Sequence, residues 1–326
     1  MKRHTRLVLV LSLLLLLLAA LSLVTGRGGQ WLALPSDEAE ARLLRLILWE
    51  LRLPRLVLAL LVGAALGLSG AVLQGLTRNP LAEPGLLGVS SGAALGAVIA
   101  IYTGLGFAWS LSIPLLGLAG AFGATALTLA LGGGGGVLVL ILAGAAVSAL
   151  MLAGTALVLN LAPNPYAAYE ITQWMMGSLT DRSWHEVLLA APFVVAGVVL
   201  LLSTGRALDA LGLGELQAAS LGVDLARLRR RVLLGTALAV GAATAVTGAI
   251  GFIGLLAPHL VRARVGHEPG RVLWPAALCG ALLLLASDLA TRVLPVQPEL
   301  KLGVLTALVG APFFLWLVWR MKRVAP

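Results

Sequence analysis

The chain has 326 residues, 60% hydrophobic and 11% charged, against roughly 25% charged in a soluble domain, which excludes a soluble globular fold. Its net charge of +9 is not a nucleic-acid footprint, because arginine and lysine gather on one side of the apolar runs, the positive-inside pattern. The single cysteine, Cys279, lies within an apolar run, so no intrachain disulfide is possible.

Runs long enough to cross a bilayer fall near 7–24, 55–76, 86–105, 113–131, 137–159, 187–204, 232–261, 272–294 and 302–319. The first is longer than a typical signal-peptide core, and Val24-Thr25-Gly26 is a weak cleavage site, so a retained helix is expected. Arg52-Leu53-Pro54-Arg55 opens the second run, where Gly63, Gly67 and Gly70 are spaced for close approach of another helix. A polar, proline-containing turn from Arg78 leads into the third run, which opens with Gly88, Gly92 and Gly96 at i, i+4 spacing. After the fifth run, Pro163-Asn164-Pro165 introduces an outer segment, Tyr166 to Thr180, that reads as an interfacial helix or a loop.

The inner loop at about 205–230 holds a second pattern. Gly214 to Gly222 has a small-residue helical face, with Gly222 suited to the residue after a helix end. Asp224 can cap the next helix, Leu225 to Arg231. The run at 232–261 is too long for one crossing and too short for two full ones at 1.5 Å per residue. Arg231 and Arg262 flank it, and Thr247-Gly248, Gly251 and Gly254 let the chain break. One span plus a short return helix is expected, giving about ten spans with both termini inside; nine is the alternative.

Residues 61–72 (LVGAALGLSGAV) and 239–250 (AVGAATAVTGAI) share six identities in twelve, and the same offset of 178 lands Pro80 on Pro258. The charge pattern starts the first copy outside and the second inside. Opposite orientation is what an inverted repeat requires, and such repeats place a transport path at their interface.

No GxxxxGK[ST] motif occurs, and the three lysines are Lys2, Lys301 and Lys322. A P-loop for ATP is therefore excluded, and ATP-driven transport would need another chain docked here. Arg52, Arg55 and Arg292 lie at the outer ends of their runs, where arginines commonly anchor a helix at the interface. Asp288 precedes Arg292 by four residues, a favourable helical ion pair that accounts for a carboxylate in an apolar run. His259 has no ligand-spaced companion among His, Cys or carboxylates, so a structural role is expected rather than metal binding.

Three stretches carry a family likeness: NPLAEPGLLGVSSG (79–92), GAIGFIGLLAPHLVR (248–262) and GVLTALVGAPFFLWL (303–317). With the order of runs from about Arg52 to Trp319, they resemble the BtuC-like (FecCD) permeases of importers for iron-siderophores, haem and cobalamin. The resemblance implies an all-α, polytopic membrane protein of about ten transmembrane helices with an inverted repeat, forming one permease domain over 1–326. It implies a bacterial cytoplasmic (inner) membrane location and transport rather than enzymatic activity. The expected partners are a second copy, two ATPase subunits, a periplasmic substrate-binding protein and membrane lipid, with no nucleic acid. No cofactor is expected on this chain, ATP and magnesium belonging to the ATPase.

The likeness also assigns roles. Arg52, Arg55 and Arg292 match arginines that receive acidic residues of the binding protein in charge-assisted pairs. Gly214, Glu215, Ala218, Leu221 and Gly222 match the helix that couples to the ATPase. Asn79 and Leu81 match the inner gate. The second part of that gate departs from the family, since Gly132 to Gly136 and Val137 stand where hydroxyl residues are found, which puts Gly136 and Val137 forward as the substitute. The resemblance favours a short helix after Pro165, folded back at the outer mouth. A secondary transporter is the alternative, but it needs mid-membrane coupling residues, and only Asp288 is available. A membrane scaffold would need neither the inner helix-turn-helix nor the outer arginines.

Overall fold

The computed structural model describes residues 2–29, 32, 35–109, 111–296 and 299–324. The side chains of Lys2, Arg3, Lys322 and Arg323, which the charge pattern places inside, lie outside the described residues. Those described fold into helices, with no strand among them. The long helices are α1 (Lys2–Val24), α3 (Leu53–Thr77), α4 (Val89–Tyr102), α5 (Ser112–Gly132), α6 (Val137–Asn160) and α8 (Trp184–Leu202), joined later in the chain by α14 (Pro269–Val293) and α15 (Leu302–Val324). Among the described residues, six helical stretches are long and apolar enough to cross a membrane, and two shorter ones, Val89–Tyr102 and Leu302–Leu317, are apolar. α2 (Glu38–Leu46) runs into α3 through a π turn at Ile47–Arg52. It begins at Asp37, whose carboxylate accepts the Glu40 backbone N–H at 2.7 Å.

α3 is the central element and is buried along most of its length. Apolar burial cannot drive helices together in lipid, so close backbone contact and dispersion must hold them. A side chain at Gly63 would put a Cβ 2.6 Å from the Gly280 carbonyl oxygen and from Ala281 Cα, both on α14. Gly67 abuts Ala276 and Gly280 on the same helix, and Gly70 abuts Gly254. α4 and α5 repeat the device with Gly92 against Gly120 and Gly96 against Leu116. α1 presents Leu9, Leu13, Leu16 and Leu17 outward, while Leu11 and Ser22 are buried.

The long run at 232–261 breaks as expected. α11 (Leu225–Thr236) continues through a π turn at Ala237–Gly241 into α12 (Ala242–Thr247), and the helix stops at Gly248. Gly248 and Phe252 take φ of 74° and 66°, and α13 (Ile253–Val265) turns back to the end where α11 began. The return is visible in side-chain contacts. Arg262 Nη2 donates to Gln74 Oε1 at 2.5 Å near the last turn of α3. The Gly270 N–H reaches Asp209 Oδ1 at 2.7 Å, on the short helix α9 (Gly205–Leu211) that follows α8. Exposed backbone at the break finds partners, as a bilayer demands: Ser178 N–H donates to the Thr247 carbonyl at 2.7 Å.

α3 and the α11–α12 helix run in opposite directions, the orientation that the repeated sequence requires. Their structures differ in one respect. α3 continues seven residues beyond Gly70, whereas its counterpart stops at Gly248. Pro80 accordingly lies in an elbow and Pro258 inside α13.

Gly63→Val should lower folded, monodisperse yield and thermal stability by about 1–3 kcal/mol or more, the usual range for overpacking. Gly123→Val is the matched control, because its Cβ would meet nothing within 4 Å. Thermal unfolding of the two purified variants compares them; equal melting temperatures would contradict the role given to the α3–α14 contact.

Candidate functional site

The antiparallel contact of α3 and α14 carries their outer ends into one charged cluster. Arg55 Nε donates to Asp288 Oδ1 at 2.8 Å, and Arg55 Nη2 donates to Glu299 Oε1 at 2.5 Å. Arg292 Nη2 donates to the second oxygen of Asp288, the i, i+4 pair expected from sequence. Arg292 Nη1 also donates to the Ser22 carbonyl at 3.0 Å, and Arg52 Nη1 to the Leu23 carbonyl at 2.6 Å, so both arginines tie the end of α1 to the bundle. Thr180 Oγ1 reaches Glu299 Oε1 at 3.3 Å, adding the loop after the outer helix α7 (Pro165–Met175). Burial pushes the Glu299 carboxylate up, but hydrogen bonding and charge from Arg55 outweigh it and hold the group below its ordinary range.

The three outer arginines are thus brought to one place, though not as a free rim. Arg292 is only 4% exposed, Arg55 is nearly enclosed, and Arg52 is half-buried. Asp288 is wholly buried and shared by two guanidinium groups, an ion-paired rather than a free carboxylate. Two open cavities, of 450 and 330 Å³, flank the cluster and share Arg27 and Glu299 in their walls. Glu299 was not singled out by sequence reasoning. It is a lone carboxylate in a short outer loop, and no spacing rule connects it to Arg55 across 244 positions.

At the inner end, α10 (Glu215–Ser220) is bracketed by two glycines in the left-handed half of backbone space, Gly214 at φ 117° and Gly222 at φ 85°. Asp224 caps α11 by accepting the Arg227 N–H at 2.8 Å, as its position suggested. Ala218 is fully buried and fastens the short helix to the protein, while Leu216 (81%) and Leu221 (66%) face outward. The loop thus holds apolar side chains outward beside the basic residues Arg227, Arg229, Arg230 and Arg231.

Asn79 and Leu81 occupy the elbow after α3. Asn79 Oδ1 accepts the Leu81 N–H at 2.9 Å, which fixes the turn. Gly136 caps α6 and Val137 begins it; no hydrogen bond joins either residue to Asn79 or Leu81 among the described residues. Pro84 of the same elbow packs on Gly254 of the returning hairpin. The His259 ring lies edge-on to Phe313 at 5.5 Å, a packing role.

The FecCD transport family matches residues 7–320. The chain belongs to the FecCD transport family. A hemin transport system permease, HmuU of Yersinia pestis, is 42% identical over 286 residues, 84% of this chain and 83% of that protein. The vitamin B12 import system permease BtuC of Salmonella typhi is 40% identical over 332 residues, 99% of this chain and 97% of that protein. A metal-chelate type ABC transporter solved in an inward-facing conformation superposes with a TM-score of 0.87 at 35% identity, covering 97% of this chain and 99% of that one. This FecCD protein is an all-helical, multi-pass inner-membrane permease of the ABC importer class, a transport subunit and not an enzyme.

Asp288→Asn should be the most damaging single change in the outer cluster. It leaves two buried arginines short of a counter-charge, a loss of about 3–5 kcal/mol for a broken buried pair. Glu299→Gln, at the solvent edge, should cost less. Thermal unfolding in detergent gives the order; a reversal would show that Glu299, not Asp288, anchors the cluster.

Proposed function

We propose that this permease passes metal chelates, of the iron-siderophore, haem or cobalamin class, across the inner membrane between two copies of itself. Two ATPase subunits drive it from the cytoplasm, and a periplasmic binding protein delivers the substrate. In this reading residues 1–326 form one permease domain with ten spans and both termini cytoplasmic, counting α13 as the short return span. The chain holds no cofactor; ATP and magnesium reside on the ATPase. The observation that carries the reading is the pairing of an outward-facing apolar helix on the Arg-rich inner loop with a converging arginine cluster at the opposite end. A secondary transporter has no use for the first and would need Asp288 free.

Coupling is assigned to Gly214, Glu215, Ala218, Leu221 and Gly222. Leu221 and Leu216 offer apolar contact, Ala218 holds the helix down, and the glycines set its angle. The elbow residues Asn79 and Leu81, with Gly136 and Val137 at the start of α6, are proposed as the inner gate. An apolar groove of 630 Å³ beside α15, with Met175 and Met176 at its outer end, fits the wall of a pathway or the seat of the second copy.

Docking of the binding protein is assigned to Arg52, Arg55 and Arg292, and burial grades their parts. Among the described residues Arg52 has no carboxylate partner, so it is the one open to an incoming acid. Arg55 can accept one only by exchanging Glu299, which stands between the two outer cavities. Arg292 acts from behind, holding Asp288 in place.

Glu215→Arg combined with Gly222→Pro should leave insertion intact but separate ATP hydrolysis from uptake in the assembled transporter; wild-type uptake would refute the coupling role. For docking, Arg52→Glu should weaken binding-protein affinity by about 30-fold or more, as expected for a lost charge pair of about 2–5 kcal/mol. Reversing the opposing acid on the binding protein should restore part of that loss. Arg52→Lys docking as tightly as arginine would reduce Arg52 to an anchor, because lysine keeps the charge and loses the planar fork.

A further inference from the structure

We propose that a cleft at the inner end of the bundle, between α3, α13 and α14, binds a phosphate group, carried by an anionic phospholipid or free in solution. The cleft has a volume of 180 Å³ and is walled by Gln74, Arg78, Pro80, Arg262, His267 and Pro269 among others. That leaves room for a phosphate-sized anion.

Its chemistry is one-sided. Arg262 Nη2 donates to Gln74 Oε1, which turns the other face of the amide, Nε2, into a buried donor without a partner. Gln74 is only 3% exposed, so water does not satisfy that N–H freely. Arg78 and His267 end α3 and α13 in left-handed backbone, at φ 50° and 64°, and bring two further donors to the same wall. Among the described residues no carboxylate lines the cleft. The nearby acids are engaged: Asp209 accepts the Gly270 N–H at 2.7 Å, and Glu268 pairs with Arg271 at 2.7 Å.

A cation at a helix C-terminus also offsets the helix dipole. That accounts for a basic residue at each of the two ends but not for an unpaired amide donor buried between them. A wall carrying two guanidinium groups and no carboxylate among its described residues complements a group made only of acceptors, and arginine's planar fork suits phosphate. Basic pockets between helices on the cytoplasmic side are where anionic headgroups bind. The lipid-facing helix α1 starts beside this one, its His4 ring donating to the Arg271 carbonyl at 3.2 Å.

The test uses the full-length permease in detergent, following thermal unfolding while phosphatidylglycerol or inorganic phosphate is added, with chloride at equal ionic strength as reference. Arg78→Asn with His267→Asn removes the guanidinium and the imidazole and keeps the turns, since asparagine tolerates left-handed backbone. The half-saturating concentration should rise about tenfold in the double variant. Should that variant not purify as a monodisperse species, Arg78→Asn alone should raise it about fivefold. Stabilisation by the lipid alone makes this a lipid site, and a response to inorganic phosphate makes it a site for the free anion. Responses that are absent, or equal in wild type and variant, overturn the proposal.

Discussion

The close backbone contact between α3 and α14 at Gly63, Gly67 and Gly280 sets the positions of nearly everything else. In a bilayer the lipid tails are as apolar as the side chains, so helices associate where small residues let backbones meet. The contact is antiparallel, and its geometry propagates in both directions. Arg55 lies eight residues before Gly63 and Asp288 eight residues after Gly280. Equal displacement from the contact brings them face to face, within 2.8 Å. Toward the inside the same register sets Gln74 and Gly75 near Pro269. One steric fit thus positions the outer ion cluster and the inner basic cleft together.

The second constraint is that backbone within the hydrocarbon layer must satisfy itself. Two interruptions break the helical pattern, the elbow after α3 and the turn at 248–252, and they lie against each other. Pro84 covers Gly254, and the Ser178 N–H takes the Thr247 carbonyl. Interrupted helices that pair in this way are where transporters place their pathways. Only the second falls within a repeated stretch, since the turn begins at Gly248 whereas α3 runs unbroken through 61–72.

Much of this was legible from sequence because it rests on local signals. The break at Gly248 followed from run length and glycine spacing, the elbow from its prolines, and the inner helix-turn-helix from Gly222 and Asp224. The Asp288–Arg292 pair followed from helical periodicity alone. The continuous α2–α3 helix was missed, since its polar first turns hide the π turn that joins it to an apolar span. Glu299 and the burial of Arg55 and Arg292 were missed for a different reason. They depend on four segments far apart in the chain meeting at one end, and no single-sequence pattern encodes that meeting.

The two ends of the bundle use arginine in opposite ways. Outside, Arg55 and Arg292 face Asp288 and Glu299, so charge is balanced and the groups can be buried at acceptable cost. These four groups balance one another, while Arg52 beside them has no carboxylate partner among the described residues and gives the cluster a net positive charge. Inside, Arg78 and Arg262 share a cleft with no carboxylate in its wall, and their charge remains open to whatever anion the cytoplasmic face supplies. The positive-inside asymmetry is therefore a difference in pairing as well as in number. Arg55 and Arg292 are held by buried carboxylates, whereas Arg78 and Arg262 have no carboxylate partner among the described residues.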